Sequence, residues 1–418
     1  MPRDLILHRL NLYVQETIDF LLANLTRNQS VSPPTAGWHN FFRPGRIGTT
    51  GTAVPLLFLV RVGADFPYKE EMVNRLVTSQ LPNGAWTILS LANVPTIEGT
   101  AWPMRALAFA GDAGARTAVH KAEEWVLTQQ NGQGAWGSDR NGSPRMLLTA
   151  ISMESLAALS APSREAISKA VKWFSQNQRT DGSWGAEPGQ DGTVFHTARV
   201  TKALIDVALL PSDPRIAAAI HFLKNNWIPD GKNFLQEIYD VHFAETYSRI
   251  IIEHDVDSAV AQALLAVRPV WATELILRAV GEMVELHSQA GKLSPPNMQP
   301  SIWNIIPRAT VFFELLQHFP VCEGGRVMNL KEAIVYSPSQ ESLNRRRMAG
   351  ILLRGILIPR FPWTSLFLLF FIAITAIAVS LYYMGSIQFK ELALSLFGNL
   401  AVLSLSLYID SKRWGKNG

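Results

Sequence analysis

The sequence predicts an all-α protein, a ring of stacked helix pairs followed by a C-terminal two-helix transmembrane hairpin. Three observations carry this expectation. A stretch Gln-x-x-x-Gly-x-Trp recurs at Gln80–Trp86, Gln130–Trp136 and Gln178–Trp184. A Thr-Ala pair follows each Gln by roughly twenty residues, at Thr100-Ala101, Thr149-Ala150 and Thr197-Ala198. Far downstream, Trp363 to Met384 carries no charge over 22 residues. Self-similarity at a near-fixed period of about 50 residues marks copies of one supersecondary unit. A unit that short does not bury its own apolar face, so the copies pack on one another.

In chain order, Leu5 to Leu25 reads as the first helix, with apolar residues at helical spacing (Leu10, Val14, Ile18, Leu21). Its His8, Arg9, Glu16 and Asp19 make it amphipathic and unlike a signal peptide. Ser32 to Thr50 is a Pro- and Gly-punctuated turn region in which Gly37-Trp38 reads as a decayed Gly-x-Trp, and Thr52-Ala53 opens the inner helix of repeat one. Repeats two to four each have a helix ending at the Gln, a Gly turn bearing the Trp, and a second helix beginning near the Thr-Ala. Gly fits that turn because it tolerates positive φ; the Gln amide and Trp indole are expected to tie neighbouring turns together. A fifth unit is traced through Phe222-Leu223, with Trp227 where Gln belongs and Thr246 at the Thr offset. A sixth runs from a helix at Val270–His287 through a Pro-rich turn to Arg308-Ala309-Thr310, which opens a helix to Gln317. Six pairs close a ring, one helix of each pair inside and one outside.

After Gly325 the composition changes. The expected organisation is a helical ring over 1–322, a linker with a basic interfacial segment over 323–362, two transmembrane helices over 363–410 and a basic tail over 411–418. The 22 uncharged residues are long enough, at about 1.5 Å each, to cross a hydrocarbon core of roughly 30 Å. Glu391 to Ile409 is a second, weaker run. Arg345, Arg346, Arg347, Arg354 and Arg360 precede the pair, and Lys412, Arg413 and Lys416 follow it. By the positive-inside rule both ends, and the ring, face the cytoplasm of an inner membrane. A lipid bilayer is therefore an expected partner, and the membrane helices offer a route to homo-oligomers. The net charge of +4 is concentrated in that C-terminal quarter and forms no stripe that would bind nucleic acid. A single Cys322 excludes disulfides within the chain and a Cys-rich zinc cage. No metal site and no cofactor is expected.

Lys121-Ala122-x-x-Trp125-Val126-x-x-x-Gln130-x-x-x-Gly134-x-Trp136 resembles, at every position, the QW repeat of the terpene cyclase and protein prenyltransferase superfamily, in particular squalene–hopene cyclases and class II diterpene cyclases. Lys169-Ala170-x-x-Trp173-Phe174 precedes Gln178 by the same offsets. The resemblance covers about residues 5–320 and implies an (α/α)6 barrel, or toroid, whose inner helices line a cavity for a polyprenyl chain. It implies either isoprenoid cyclisation after protonation or zinc-dependent prenyl transfer. The zinc branch resembles an Asp-x-Cys pair plus a distant His; Cys322 has no Asp two residues before it.

The cyclase branch requires a carboxylic acid held protonated in an apolar pocket. The family's motif is Asp-x-Asp-Asp followed by Thr-Ala, its middle Asp giving the proton, and it is not intact here. Registered on the Thr-Ala, Thr96-Ile97-Glu98-Gly99-Thr100-Ala101 puts Glu98 in the donor's place without the flanking aspartates. In the same frame His196 and Glu245 each fall one residue before a Thr and form a candidate pair at the cavity mouth. Asp257, in Asp255-Val256-Asp257-Ser258-Ala259, is closer to the motif in letters but out of repeat register, and the alternative there is an Asp N-cap. For Glu98 the alternative is a carboxylate stabilising a helix N-terminus. Thr96, Trp102, Phe195, Tyr247, Phe312 and Phe313 are expected to line the cavity on inner helices, where aromatic faces suit a carbocation. Two functions of different classes follow. One is a membrane-anchored, divergent terpenoid cyclase (an isomerase or lyase) binding an isoprenoid. The other is a non-catalytic ligand-sensing or partner-binding barrel that drives a two-helix membrane effector.

Overall fold

The computed structural model describes residues 3–328 except 89–93, 139, 160–162, 244–245, 270, 291–292, 294–298, 319–320 and 324–325. These residues belong to the first of two units, Met1–Gly355; the second, Ile356–Gly418, with both expected membrane spans, lies outside the described residues. Among the described residues no helix is long and apolar enough to cross a membrane.

Six helices form an inner ring: α2 (Thr49–Val62), α4 (Ile97–Ala110), α6 (Met146–Ala157), α8 (Val194–Asp206), α10 (Val256–Val267) and α12 (Ile302–His318). Each packs against the next, and α12 packs back against α2, so the ring closes. Outside it lie α1 (Arg3–Ala23), α3 (Lys69–Thr78), α5 (Arg116–Gln129), α7 (Arg164–Gln176), α9 (Pro214–Asn226) and α11 (Ala272–Ala290). Sequence dictates which helix goes where. Every residue of α6 from Met146 to Leu156 is buried, whereas α5 buries only Ala118, Ala122, Trp125 and Val126, and α7 only Ala166, Ala170, Trp173 and Phe174. A helix apolar all round belongs inside; one with a single stripe at i, i+4, i+7 and i+8 belongs on the rim.

The recurring stretch explains how the pairs stack. Gln80, Gln130 and Gln178 each donate from Nε2 to the carbonyl of their own turn glycine and to a carbonyl of the next outer helix (Ala118, Ala166 and Arg215), at 2.7–3.0 Å. The indoles of Trp86, Trp136 and Trp184 donate back to Leu76, Val126 and Phe174 of the preceding outer helix. Trp38 does the same to Leu21, so the decayed copy keeps its indole bond. The Thr of each Thr-Ala accepts from the Trp backbone N–H, at 3.0 Å for Thr100 and 3.1 Å for Thr149 and Thr197. Gly84 sits at φ +89°, and a Cβ there would lie 2.3 Å from the Lys121 carbonyl oxygen, so the turn admits only glycine. Replacing Gln130 by Ala removes both donors of one tie. It is expected to cost about 1–3 kcal/mol, because two carbonyls lose their partner; urea denaturation of the two proteins checks this.

The expectation of helix alone is corrected in the fifth unit. The chain after α9 forms an antiparallel hairpin, β3 (Phe234–Phe243) with β4 (Thr246–Asp255), in the register Phe234↔Asp255 to Phe243↔Thr246. Ile250, Ile251 and Ile252, with the aromatic residues of β3, favour a pleated strand over a helix. Thr246 therefore begins a strand, and Tyr247 lies on β4 rather than on an inner helix. Two further hairpins are short: β1 (Thr26–Asn28) with β2 (Thr35–Gly37), and β5 (Val321–Glu323) with β6 (Arg326–Met328). The last inner helix starts at Ile302, six residues before the expected Arg308, and carries Pro307 inside it.

Candidate active site

A cavity of about 550 Å³ runs through the ring and is lined by all six inner helices and by β4. That volume lies in the ordinary range for small-molecule sites, roughly 300–1,000 Å³. Its composition follows helix register. Glu98, Leu147, Phe195 and Trp303 each stand second in their helix and face the same end of the cavity. Asp257 holds the same place in α10, so the hairpin brings it into the register that spacing alone denied it.

Glu98 is 3 % exposed, and its Oε2 has no hydrogen-bond partner. Burial, and behind it the charge of Glu237, pushes its carboxyl up to about 8, so it carries a proton at neutral pH. Thr96 does not line the cavity; it is the N-cap of α4, its side chain accepting from Gly99 N. Trp102 and Phe195 do line it. The rings of Phe195, His254, Trp303 and Trp102 succeed one another at centroid separations of 4.8, 5.5 and 5.9 Å, giving the acid's surroundings an aromatic wall. Phe312 points away and packs edge-on against Tyr13 of α1 at 4.8 Å; its neighbour Phe313 lines the cavity instead. One residue along a helix turns the side chain by about 100°.

His196 is described, but its expected partner Glu245 lies outside the described residues. Its Nε2 meets Glu237 Oε1 of β3 at 2.5 Å and its Nδ1 meets Thr193 Oγ1 at 2.8 Å, so both ring nitrogens are engaged. His254 Nε2 lies 3.6 Å from the other Glu237 oxygen. Burial alone would raise Glu237, but hydrogen bonds and charge from His196 and His254 hold it far below the usual carboxylate range. A protonated carboxyl thus stands beside an ionised one.

Asp255 is the N-cap of α10, accepting from Ser258 N at 3.1 Å, and its Oδ2 takes Arg308 Nε and a terminal nitrogen at 3.0 and 2.7 Å. Asp257 is fully buried. Trp227 Nε1 donates to its Oδ1 at 2.7 Å, and burial, together with the charges of Asp255 and Asp230, raises its carboxyl to about 6 against that bond. It does not line the cavity, so the structure makes it a partner of Trp227.

The opposite end of the cavity is charged. Arg105 Nη1 lies 2.6 Å and Arg199 Nη2 3.2 Å from Glu154 Oε2. Lys202 holds Asp206 at 2.5 and 2.6 Å, and Arg61 reaches Glu314 at 3.3 Å. Burial alone would raise Glu154, but Arg199, Arg105 and Lys202 bring it to about 2; burial raises Glu314.

No family model matches the sequence, and no curated protein matches it. Among solved structures the chain is similar to type II terpene cyclases. One is MstE from Scytonema, solved in complex with geranylgeranyl dihydroxybenzoate, at TM-score 0.48 and 15% identity, covering 74% of this chain and 98% of that one. Another neighbour is a protein from Actinoplanes, at TM-score 0.47 and 17% identity, covering 72% and 97%. A third, ent-copalyl diphosphate synthase from Streptomyces platensis, matches at TM-score 0.34 and 19% identity over 56% of this chain and 50% of that chain.

Proposed function

We propose that the barrel binds a polyprenyl or similarly long apolar chain in its central cavity and that Glu98 protonates an alkene of that chain to start its cyclisation. The observation that carries this reading is a carboxyl group, protonated at neutral pH, lining an aromatic-walled cavity. The aromatic faces would stabilise the cation that the proton creates. Glu237, held ionised by two histidines, disfavours loss of the Glu98 proton to water and so keeps the donor loaded. The two apolar runs after residue 360 would keep such a protein at a bilayer, where its substrate dissolves.

One observation favours the sensor alternative. Glu98 Oε2 has no donor to stabilise the anion left after proton transfer, so binding without protonation is chemically easier than turnover. The two readings separate in one experiment: incubation of the purified chain with squalene and with geranylgeranyl diphosphate, followed by extraction and mass spectrometry between pH 6 and 9.5. A Glu98-dependent cyclase turns over below about pH 8 and loses activity as pH rises through that value, because only the protonated form donates. Substrate bound but recovered unchanged at every pH supports the sensor.

A further inference from the structure

The charged end of the cavity is left over once Glu98 and the aromatic wall are assigned. Arg105 stands seven residues after Glu98 on α4, about 10 Å further along the helix at 1.5 Å per residue. Around it four cations (Arg61, Arg105, Arg199 and Lys202) meet three carboxylates, Glu154, Asp206 and Glu314. Arg105 and Lys202 are each only 9 % exposed, and Glu154 3 %, so these charges sit in the wall of a cavity and not on a solvated surface. Two buried polar atoms there, Arg105 Nε and Glu154 Oε1, have no hydrogen-bond partner. A buried donor left unpaired is costly. The negative pole of a helix C-terminus, an effect that falls off within the last turn, does not account for Arg105, Arg199 and Lys202, which lie five, seven and four residues before the ends of α4 and α8; Arg61 is the member that sits in a last turn, that of α2.

We propose that the cavity takes an amphiphile with one carboxylate head, seated among Arg61, Arg105, Arg199 and Lys202, its apolar chain running toward Glu98. This deepens the reading of the cavity as a polyprenyl site and rests on it. Charge balance selects the head. Counted with all three carboxylates ionised, the cluster has one positive charge over, which a single carboxylate neutralises while offering a guanidinium the planar, two-oxygen acceptor that it pairs with best. A diphosphate would bring two or three negative charges into the same place and leave the surplus uncompensated; a neutral alcohol would leave the buried cation in excess.

The test titrates three probes sharing one chain, geranylgeranoic acid, geranylgeraniol and geranylgeranyl diphosphate, into the purified full chain. Binding is followed through Trp102 and Trp303 fluorescence, both in the cavity wall. The acid is expected to bind at least about tenfold more tightly than the alcohol, the worth of a hydrogen-bonded charge pair, and more tightly than the diphosphate. Arg61→Gln removes the surplus charge at the most exposed member of the cluster, 35 % exposed. It should lower the acid-to-alcohol affinity ratio several-fold, with circular dichroism reporting that the fold is kept. Equal affinity for acid and alcohol, a preference for the diphosphate, or a ratio that Arg61→Gln does not move each overturns the carboxylate assignment while leaving the polyprenyl cavity standing. Failure of all three probes to bind overturns both.

Discussion

Glu98→Gln is expected to abolish turnover and yet to make the protein more stable in mild alkali. The amide keeps the shape of the side chain but has no proton to give, so the rate should fall by roughly 10²–10⁴, the range for losing a positioned acid. The stability effect has a definite sign. Burial raises the folded-state pKa of Glu98 from 4.5 to about 8, so between those values the folded chain holds a proton that the unfolded chain has released. Stability from this group is complete below about pH 4.5 and is lost as pH rises toward 8. Gln escapes that loss, and above pH 8 the variant should gain on the order of a few kcal/mol. Thermal melts at pH 5 and 8.5 check this: the variant should gain on the wild type only at the higher pH. A residue serving only as a helix N-terminal carboxylate would instead leave the variant less stable at neutral pH.

Arg308→Met should destabilise the barrel by about 3–5 kcal/mol, a large share of the roughly 5–15 kcal/mol that holds most domains together. Arg308 and Asp255 are almost sealed from solvent, at 3 % and 0 % side-chain exposure. Met fills the volume but leaves the Asp255 carboxylate buried with only the Ser258 N–H for company. Pairing the change with Asp255→Asn removes the stranded charge, keeps an N-cap oxygen and should recover most of the loss. Denaturant titration of the single and double variants measures both. A single variant as stable as wild type would show the pair to be solvated.

These two residues also mark what the chain discloses about itself. Glu98 was legible because it lies in the first turn of α4, in a unit whose Thr and Trp are joined locally, the Trp86 N–H donating to Thr100 Oγ1 only 14 residues away. A repeat is a string of such short-range bonds, so its period survives in the sequence. The closing of the ring was legible for the same reason, with Trp38 carrying the pattern into the first copy. Glu237 and His254 were not legible: they sit on a hairpin inserted into the fifth unit, which has no register to inherit, and meet His196 only in three dimensions. Phe312 and Phe313 differ by one helical step, and nothing local says which of them turns inward. The charged end is marked in the sequence as well. Arg105, the one charge after Glu98 in IEGTAWPMRALAFA, and Glu154, the one charge in MLLTAISMESLA, lie deep in apolar inner helices, and such charges are almost never buried unless paired.

The most direct test of the account is to run the reaction in deuterium oxide with the wild-type chain and a polyprenyl substrate. The Glu98 carboxyl exchanges with solvent between turnovers, so protonation of an alkene from that residue should yield a cyclised product carrying one deuterium, seen as a gain of one mass unit over the product formed in ordinary water. A product without deuterium, or a substrate returned unchanged, would contradict it.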